Sequence, residues 1–417
     1  METSSLSAEK FRVRKQLNLH LEVILVNKRI YFLAVIAFIT GMVELMVGGI
    51  LDLIANDLEI TLAEAGSLIT VFSFIYAVIS PVLLVLTAKM ERKRLILICL
   101  YIFLFGTVLT VFGPNYLVVF IARIIQAISS SLLVLLCIVI APNIVRKEYR
   151  GRAIGIVSMG TSASLVLGIP IGIYLGSTFG WRAPFILITL LTVMAIIGVH
   201  FLMEKVVSRP ATPLKSLLKS LLLGLKNLKL FLALFTTFLY MAGHTVLYAY
   251  FKPYLHHTTD FSITWIGILY FIFGLAAVTG GGLGGLVSDL IGSRRTIVVS
   301  LVLFDFVFFI LPVANITPWL YLITIIFWGM LSWGISPAMQ SYLIETIPEA
   351  GDIMQSLNNS ALHLGIAFGS LVGGMVVDKL SIEENPYVAG GLVMIGLITA
   401  ILSIRTTLAI SHEVKRL

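Results

Sequence analysis

The sequence predicts an all-α membrane protein, with twelve transmembrane helices in two pseudo-symmetric six-helix bundles. Three observations carry the prediction. Of 417 residues, 59% are hydrophobic and only 12% are charged, and the mean hydropathy is +1.03. A soluble domain has about a quarter charged residues. Twelve apolar stretches are each long enough to cross a hydrocarbon core of ~30 Å, which takes about 20 helical residues. The longest polar connection, 204–228, leaves six stretches on either side. This composition excludes a soluble globular enzyme, a disordered chain and a disulfide scaffold.

In chain order, residues 1–29 form a polar, basic tail. The first apolar run, 30–53, is long enough to span fully and is expected to remain as an uncleaved helix. Further spans are expected at 65–87, 94–112, 116–141, 153–175, 183–203, 229–250, 262–287, 295–313, 317–341, 353–377 and 387–410. Strands of a membrane barrel would be about ten residues long and alternate apolar with polar; these runs do neither. The halves are therefore 30–203 and 229–410, with a linker at 204–228 and a tail at 411–417. The Leu/Lys pattern from Leu214 to Leu228 suits an amphipathic helix on the membrane surface and a plain tether equally.

An even number of spans puts both ends on one side. That side carries 25 of the 29 Lys and Arg, whereas the other has Arg182, Lys252 and Lys379. Basic loops stay in the cytoplasm, so both termini are expected there, in a bacterial cytoplasmic membrane. The connection between spans 10 and 11 is the exception, with Glu345, Glu349 and Asp352 but no basic residue. Topology also accounts for the net charge of +8, and no nucleic-acid partner is expected. Cys99 and Cys137 lie inside apolar stretches and read as packing residues, with no disulfide framework or metal site. The sequence holds no GxxxxGK[ST] loop, catalytic constellation or metal-ligand spacing. Neither an enzyme, a cofactor nor ATP-driven work is expected.

The two halves echo each other. Span 8 ends in Gly285-Leu286-Val287-Ser288-Asp289-Leu290-Ile291-Gly292-Ser293-Arg294-Arg295. About 201 residues earlier, span 2 ends in Leu84-Val85-Leu86-Thr87-Ala88-Lys89-Met90-Glu91-Arg92-Lys93. Duplicated six-span halves are a transporter architecture. These loops resemble those of the major facilitator superfamily, whose inter-span motif reads G-x-L-x-D-x-x-G-R-R. Gly285, Asp289, Gly292 and Arg294 fit it; Leu84, Ala88 and Glu91 depart from it. Arg123-Ile124-Ile125-Gln126-Ala127 resembles the R-x-x-Q-G motif of span 4. Gly168-Ile169-Pro170-Ile171-Gly172, then Gly176 and Gly180-Trp181-Arg182, resemble the span 5 antiporter motif. Glu44-Leu45 before Gly48-Gly49, and Tyr250-Phe251-Lys252-Pro253 after Gly243, are similar to sugar-efflux and purine-efflux members of the twelve-span drug:proton antiporter branch.

The resemblance implies two bundles rocking about a midplane cavity. It implies exchange of protons for a small organic molecule, such as a drug, a sugar or a purine-type compound. A monomer in a lipid bilayer is expected. A uniporter, a proton symporter and a non-transporting sensor or scaffold of the same fold stay open.

A charge deep in a span costs about 2.5–3.5 kcal/mol or more, so each needs a partner or a purpose. Glu44 lies roughly 21 Å along the first helix at ~1.5 Å per residue. Arg123 enters from the other boundary, so the two are expected at similar depth. Two readings stand for Glu44: a proton-loading carboxylate tuned by burial and a nearby guanidinium, or half of a static ion pair. Asp52 is a second acidic site for a proton or cation, or a hydrated helix end. His244 and His363 suit proton relay or substrate hydrogen bonding, or packing. Asn359 and His363 are four apart, on a face expected to look into the cavity. Gln126 and Tyr248 complete the candidate substrate set. Gly168, Pro170 and Gly172 join Gly285, Asp289, Gly292 and Arg294 as candidate conformational residues. Asp305, on a span that is peripheral in the family resembled, is expected to serve packing or a buried pair.

Overall fold

A computed structural model describes residues 28–145, 149–204, 226–314, 317–348 and 351–407. Both ends, most of the Leu214–Leu228 pattern, and Arg146, Lys147 and Glu349 lie outside the described residues. Among the described residues the regular structure is helical, without strands. Twelve helices are long and apolar enough to cross a membrane. They are α1 (Lys28–Leu45), α2 (Leu62–Leu86), α3 (Arg92–Phe112), α4 (Tyr116–Ile140), α5 (Arg150–Phe179), α6 (Ala183–Leu202), α7 (Leu228–Tyr248), α8 (Ile263–Ile291), α9 (Ser293–Ala314), α10 (Pro318–Thr346), α11 (Gly351–Lys379) and α12 (Asn385–Arg405).

Local chemistry sets many of the boundaries. Glu91 accepts the Lys93 and Arg94 amide protons at 2.8 Å each, and Asn115 accepts that of Val118 at 3.1 Å. Such side chains satisfy N–H groups that a helix start leaves free. Gly180 after α5 and Gly292 after α8 have φ of +89° and +88°, where a residue without Cβ is at ease.

The first span is not the single helix expected over 30–53. It ends at Leu45, passes through a 3-10 turn at Met46–Gly49, and resumes as a short helix, Leu51–Asp57. Gly48 and Gly49 weaken the helix there, and both are buried in close packing. A Cβ on Gly49 would lie 2.5 Å from Ile169. The seventh span breaks in the same way. It ends at Tyr248 and resumes over Phe251–Thr258, with Pro253 in the first turn, where its missing N–H costs little.

Each half is tied at its ends. Arg29 at the start of α1 pairs with Glu204, just beyond α6, at 2.6 Å. Lys229, at the matching start of α7, donates to the Ser403 and Thr406 carbonyls at the end of α12, at 3.1 and 2.9 Å. Lys93 donates to the His200 and Met203 carbonyls at the end of α6. Cations are favoured at helix C-termini, where carbonyls are unpaired.

Between the halves, α2 packs on α11 and α5 on α8. On the side that carries Asp52, the halves meet closely. Lys252 Nζ lies 2.8 Å from Asp52 Oδ1. The Ser370 hydroxyl donates to the Gly66 carbonyl at 2.9 Å, and a Cβ on Gly66 would collide with the Tyr250 hydroxyl, which is itself held by the Ser370 carbonyl. At mid-depth, a Cβ on Gly274 of α8 would lie 2.7 Å from the Leu165 carbonyl of α5. Towards the Arg29 side this seam opens. Gly281 follows Gly274 by two helical turns and Gly155 precedes Val166 by three, so each keeps its helix face. Neither has an atom within 4 Å of the position a Cβ would take.

On the Asp52 side, Asp57 accepts hydrogen bonds from Trp181 Nε1 at 2.8 Å and Arg182 Nη1 at 2.5 Å. The Trp181 bond first, and Arg182 next, hold its carboxyl below the usual range. A depressed carboxyl contributes stability above its unfolded value, and that contribution disappears as pH falls through the folded value. Asp57→Asn is therefore expected to lower the melting temperature near neutrality, with the deficit shrinking below about pH 4. Melting curves of both proteins across that range check it. A constant deficit contradicts the linkage.

Candidate functional site

The helices meet around one cleft at mid-depth. Its walls include Glu44 on α1, Ser73 on α2, Leu165 on α5, His244 and Tyr248 on α7, and Trp333 on α10. Both halves contribute. The cleft holds about 50 Å³, room for a few water molecules.

Glu44 projects into the cleft, and its side chain is 21% exposed. Its partner is across the interface: Oε1 lies 3.5 Å from His363 Nδ1 on α11. His363 is stacked on Tyr76 of α2, with ring centroids 4.0 Å apart. The structure does not bring Glu44 and Arg123 into an ion pair. Arg123 is buried and donates to the Val43 carbonyl at 3.0 Å, Gln126 Oε1 at 3.0 Å and the Leu68 carbonyl at 3.2 Å. Its guanidinium also lies over the Phe72 ring, 4.2 Å from the centroid. The depth argument matches the contact with Val43, next to Glu44. The expected pairing is superseded because carbonyls of α1 and α2 take the guanidinium first.

His244 is held from behind. Trp328 Nε1 donates to its Nδ1 at 3.2 Å, and Tyr248 and Phe273 stack against it. A nitrogen that accepts carries no proton, so the neutral ring keeps its proton on Nε2. His244 follows Glu44 by 200 residues, one short of the offset of the internal repeat.

Other candidate residues are placed differently from expectation. Gln126 is fully buried between Arg123 and Thr110, outside the cleft; its amide is used to orient the guanidinium. Asn359 is exposed and does not line the cleft. Asn358 is the buried neighbour, accepting from Thr237 of α7 at 2.6 Å. Asp52 is away from the mid-depth cleft, paired with Lys252. Asp305 on α9 lies against Gly390 of α12. The sequence singled out neither Ser73 nor Tyr76, which look like ordinary span residues. Lys252 carried a usable signal: it follows Asp52 by 200 residues, one short of the offset of the internal repeat.

Sequence comparison adds the family. The sequence profile described as Major Facilitator Superfamily matches residues 33–369 and 233–415. The chain belongs to this superfamily. Among similar proteins, the MFS-type transporter YbcL of Bacillus subtilis is 34% identical over 374 residues, covering 90% of this chain and 95% of its own length. A probable sugar efflux transporter of Helicobacter pylori (strain J99) is 26% identical over 373 residues, covering 88% and 93%. Among solved structures, the nucleoside transporter NupG has a TM-score of 0.72 at 15% identity, covering 90% of this chain and 99% of that one. A bacterial homologue of the lysosomal transporter Spinster has a TM-score of 0.72 at 14% identity, covering 91% and 96%. At such identity the two structures speak for the fold alone. This member of the major facilitator superfamily is a multi-pass membrane transporter, not an enzyme.

The superfamily motif residues divide into packing and surface roles. A Cβ on Gly168 would lie 3.5 Å, and one on Gly172 3.1 Å, from Met42 and Met46 of α1. With Pro170 between them, they carry the packing of α5 on α1. Gly285 has only a loose neighbour, Pro337 at 3.9 Å. The close approach of α8 to α10 is made instead by Gly280 and Gly284, whose Cβ positions fall 2.1 Å from carbonyls of α10. Asp289 and Arg294 are exposed, and neither forms an ion pair with a described residue in this conformer.

Proposed function

We propose that this transporter exports a small organic molecule in exchange for protons, by alternating access. Glu44 is the proton site. The observation that carries this reading is the Glu44 carboxylate, which lines a mid-depth cleft between the two halves. The substrate enters the space beside His244 and Tyr248 once the halves part. The sugar-efflux relatives favour a sugar, with a drug or purine-type compound as the other members of the class. The distribution of Lys and Arg supports an Arg29 side facing the cytoplasm, so the opening of the α5–α8 seam lies on the inward side. The halves 30–203 and 229–410 act as the two moving units of a monomer in the bacterial cytoplasmic membrane.

The test is uptake of a radiolabelled sugar, nucleobase and drug panel into proteoliposomes with an imposed pH gradient. Each tenfold of accumulation needs about 1.4 kcal/mol, which is the energy of about one proton crossing one pH unit. Native protein is expected to accumulate at least one panel member about tenfold per pH unit for one coupled proton. Glu44→Gln is expected to bring the ratio to about unity, with substrate–substrate exchange retained. Equal pH-driven accumulation in both proteins removes Glu44 from coupling.

A further inference from the structure

We propose that Glu44 and His363 share one proton, and that this proton clasps the two halves together in the conformer closed on the Asp52 side. The inference rests on Glu44 being the proton site and assigns its partner in the other half. Glu44 belongs to α1 and His363 to α11, so the 3.5 Å between them is itself a measure of the gap between halves. Their side chains are 21% and 8% exposed. His363 Nδ1 has no hydrogen bond among the described residues, which leaves the carboxylate as the group it faces.

The ionisable neighbours are few: Tyr76, Arg123, His244 and, on the His244 ring, Tyr248. Tyr76 on α2 stacks on the imidazole face and leaves its edge to Glu44. Arg123 on α4 is committed to carbonyls and Gln126. His244 on α7 is bonded to Trp328. The α10 wall presents Trp333, which does not titrate. Arg123 Nη2 is left without a hydrogen bond among the described residues, so its guanidinium is the one further charge that acts on Glu44, from behind the Val43 carbonyl and in both conformers alike.

One proton makes the pair neutral, as carboxylate–imidazolium or as acid–imidazole, and two interacting sites titrate as a unit. Both forms are favoured when the groups touch, because a buried charge without its partner is costly. Separation leaves an acid and a base that must each face the cleft alone. The closed conformer therefore binds the proton more tightly than the conformer open on the Asp52 side. By reciprocity, losing the proton favours opening on that side. In an exporter this ordering is useful, because proton release towards the Arg29 side precedes outward movement. His363 is thus a positioning residue for Glu44 and sets the pH at which the halves exchange conformers.

The experiment reads conformation without substrate. Nitroxides on cysteines replacing Thr178 and Asp260, exposed on the Asp52 side of opposite halves, report the gap by pulsed electron resonance. In native-background protein the open-to-closed ratio is expected to rise with pH between about pH 5 and pH 8, by up to about tenfold per unit for one proton. His363→Asn and His363→Gln, each checked for a native elution profile, are expected to flatten that rise or move its midpoint by at least about one unit. Glu44→Gln is expected to flatten it as well. A native midpoint within a few tenths of a unit in both His363 variants overturns the clasp, as does a native ratio that ignores pH. If the His363 variants behave natively while Glu44→Gln abolishes pH-driven accumulation, the clasp fails and the proton site stands. If Glu44→Gln keeps accumulation, the proton site itself fails.

Discussion

Gly284→Leu is expected to leave little folded protein. The position a Cβ would take on Gly284 lies 2.1 Å from the Gly334 carbonyl oxygen, and on Gly280 2.1 Å from that of Met330. These obstacles are helix backbone, which cannot rotate aside as a side chain can. In lipid, where apolar residues gain little by leaving the solvent, small residues that allow backbones to touch supply much of the association. Over-filling a well-packed site costs about 1–3 kcal/mol when neighbours adjust; here α8 and α10 must move apart, so the loss lies at or beyond the upper end. The control is on the same helix. Gly281 and Gly282 have no atom within 4 Å of their Cβ positions, and leucine there is expected to be tolerated. Yield of monodisperse protein and melting temperature distinguish the two sets. Equal behaviour of Gly284→Leu and Gly281→Leu contradicts the backbone contact.

The second large effect is asymmetric. Asp52→Asn is expected to harm the protein more than Lys252→Met, although both break one ion pair. Lys252 is 1% exposed and Asp52 25%. Removing the carboxylate strands an ammonium in the interior, a loss of about 3–5 kcal/mol for a buried pair. Removing the ammonium leaves a carboxylate that water already reaches, and roughly 1 kcal/mol is at stake. The double variant Asp52→Asn with Lys252→Met is expected to recover most of the loss. Thermal stability of the three proteins in one detergent checks the order. Similar losses for the two single variants would mean that Lys252 finds water or another acceptor.

Much of the fold was legible because burial in lipid is a strong, local constraint. A run such as 94–112 has no alternative to a helix once every backbone group must be satisfied internally, and the observed α3, Arg92–Phe112, begins only one half-turn earlier. The break in the first span was less legible. Gly48 and Gly49 are written plainly, but two glycines in a span can serve a close contact or a kink, and only packing against Ile169 decides. The site shows the same division. Glu44 stood out because an acid in an apolar helix is expensive. His363 stood out as well, but their pairing did not, because α1 and α11 come from nearly opposite ends of the chain and composition carries no information on which faces of distant helices meet. Gln126 was assigned from its motif and Asn359 from its four-residue spacing to His363, but Gln126 is turned to Arg123 and Thr110 and Asn359 is exposed.

The fastenings at Arg29 and Lys229 have a consequence for movement. Joining first helix to last makes each half a hoop, whose members cannot fan out one by one. In the alternating access proposed above, such a hoop would turn as a lever. A shift of an ångström or so at a fulcrum near Gly274 and Leu165 is then delivered, enlarged, to both mouths of the molecule, and with opposite sign at each. Cutting the fastenings would leave twelve rods that slacken locally, and the two mouths would cease to keep time.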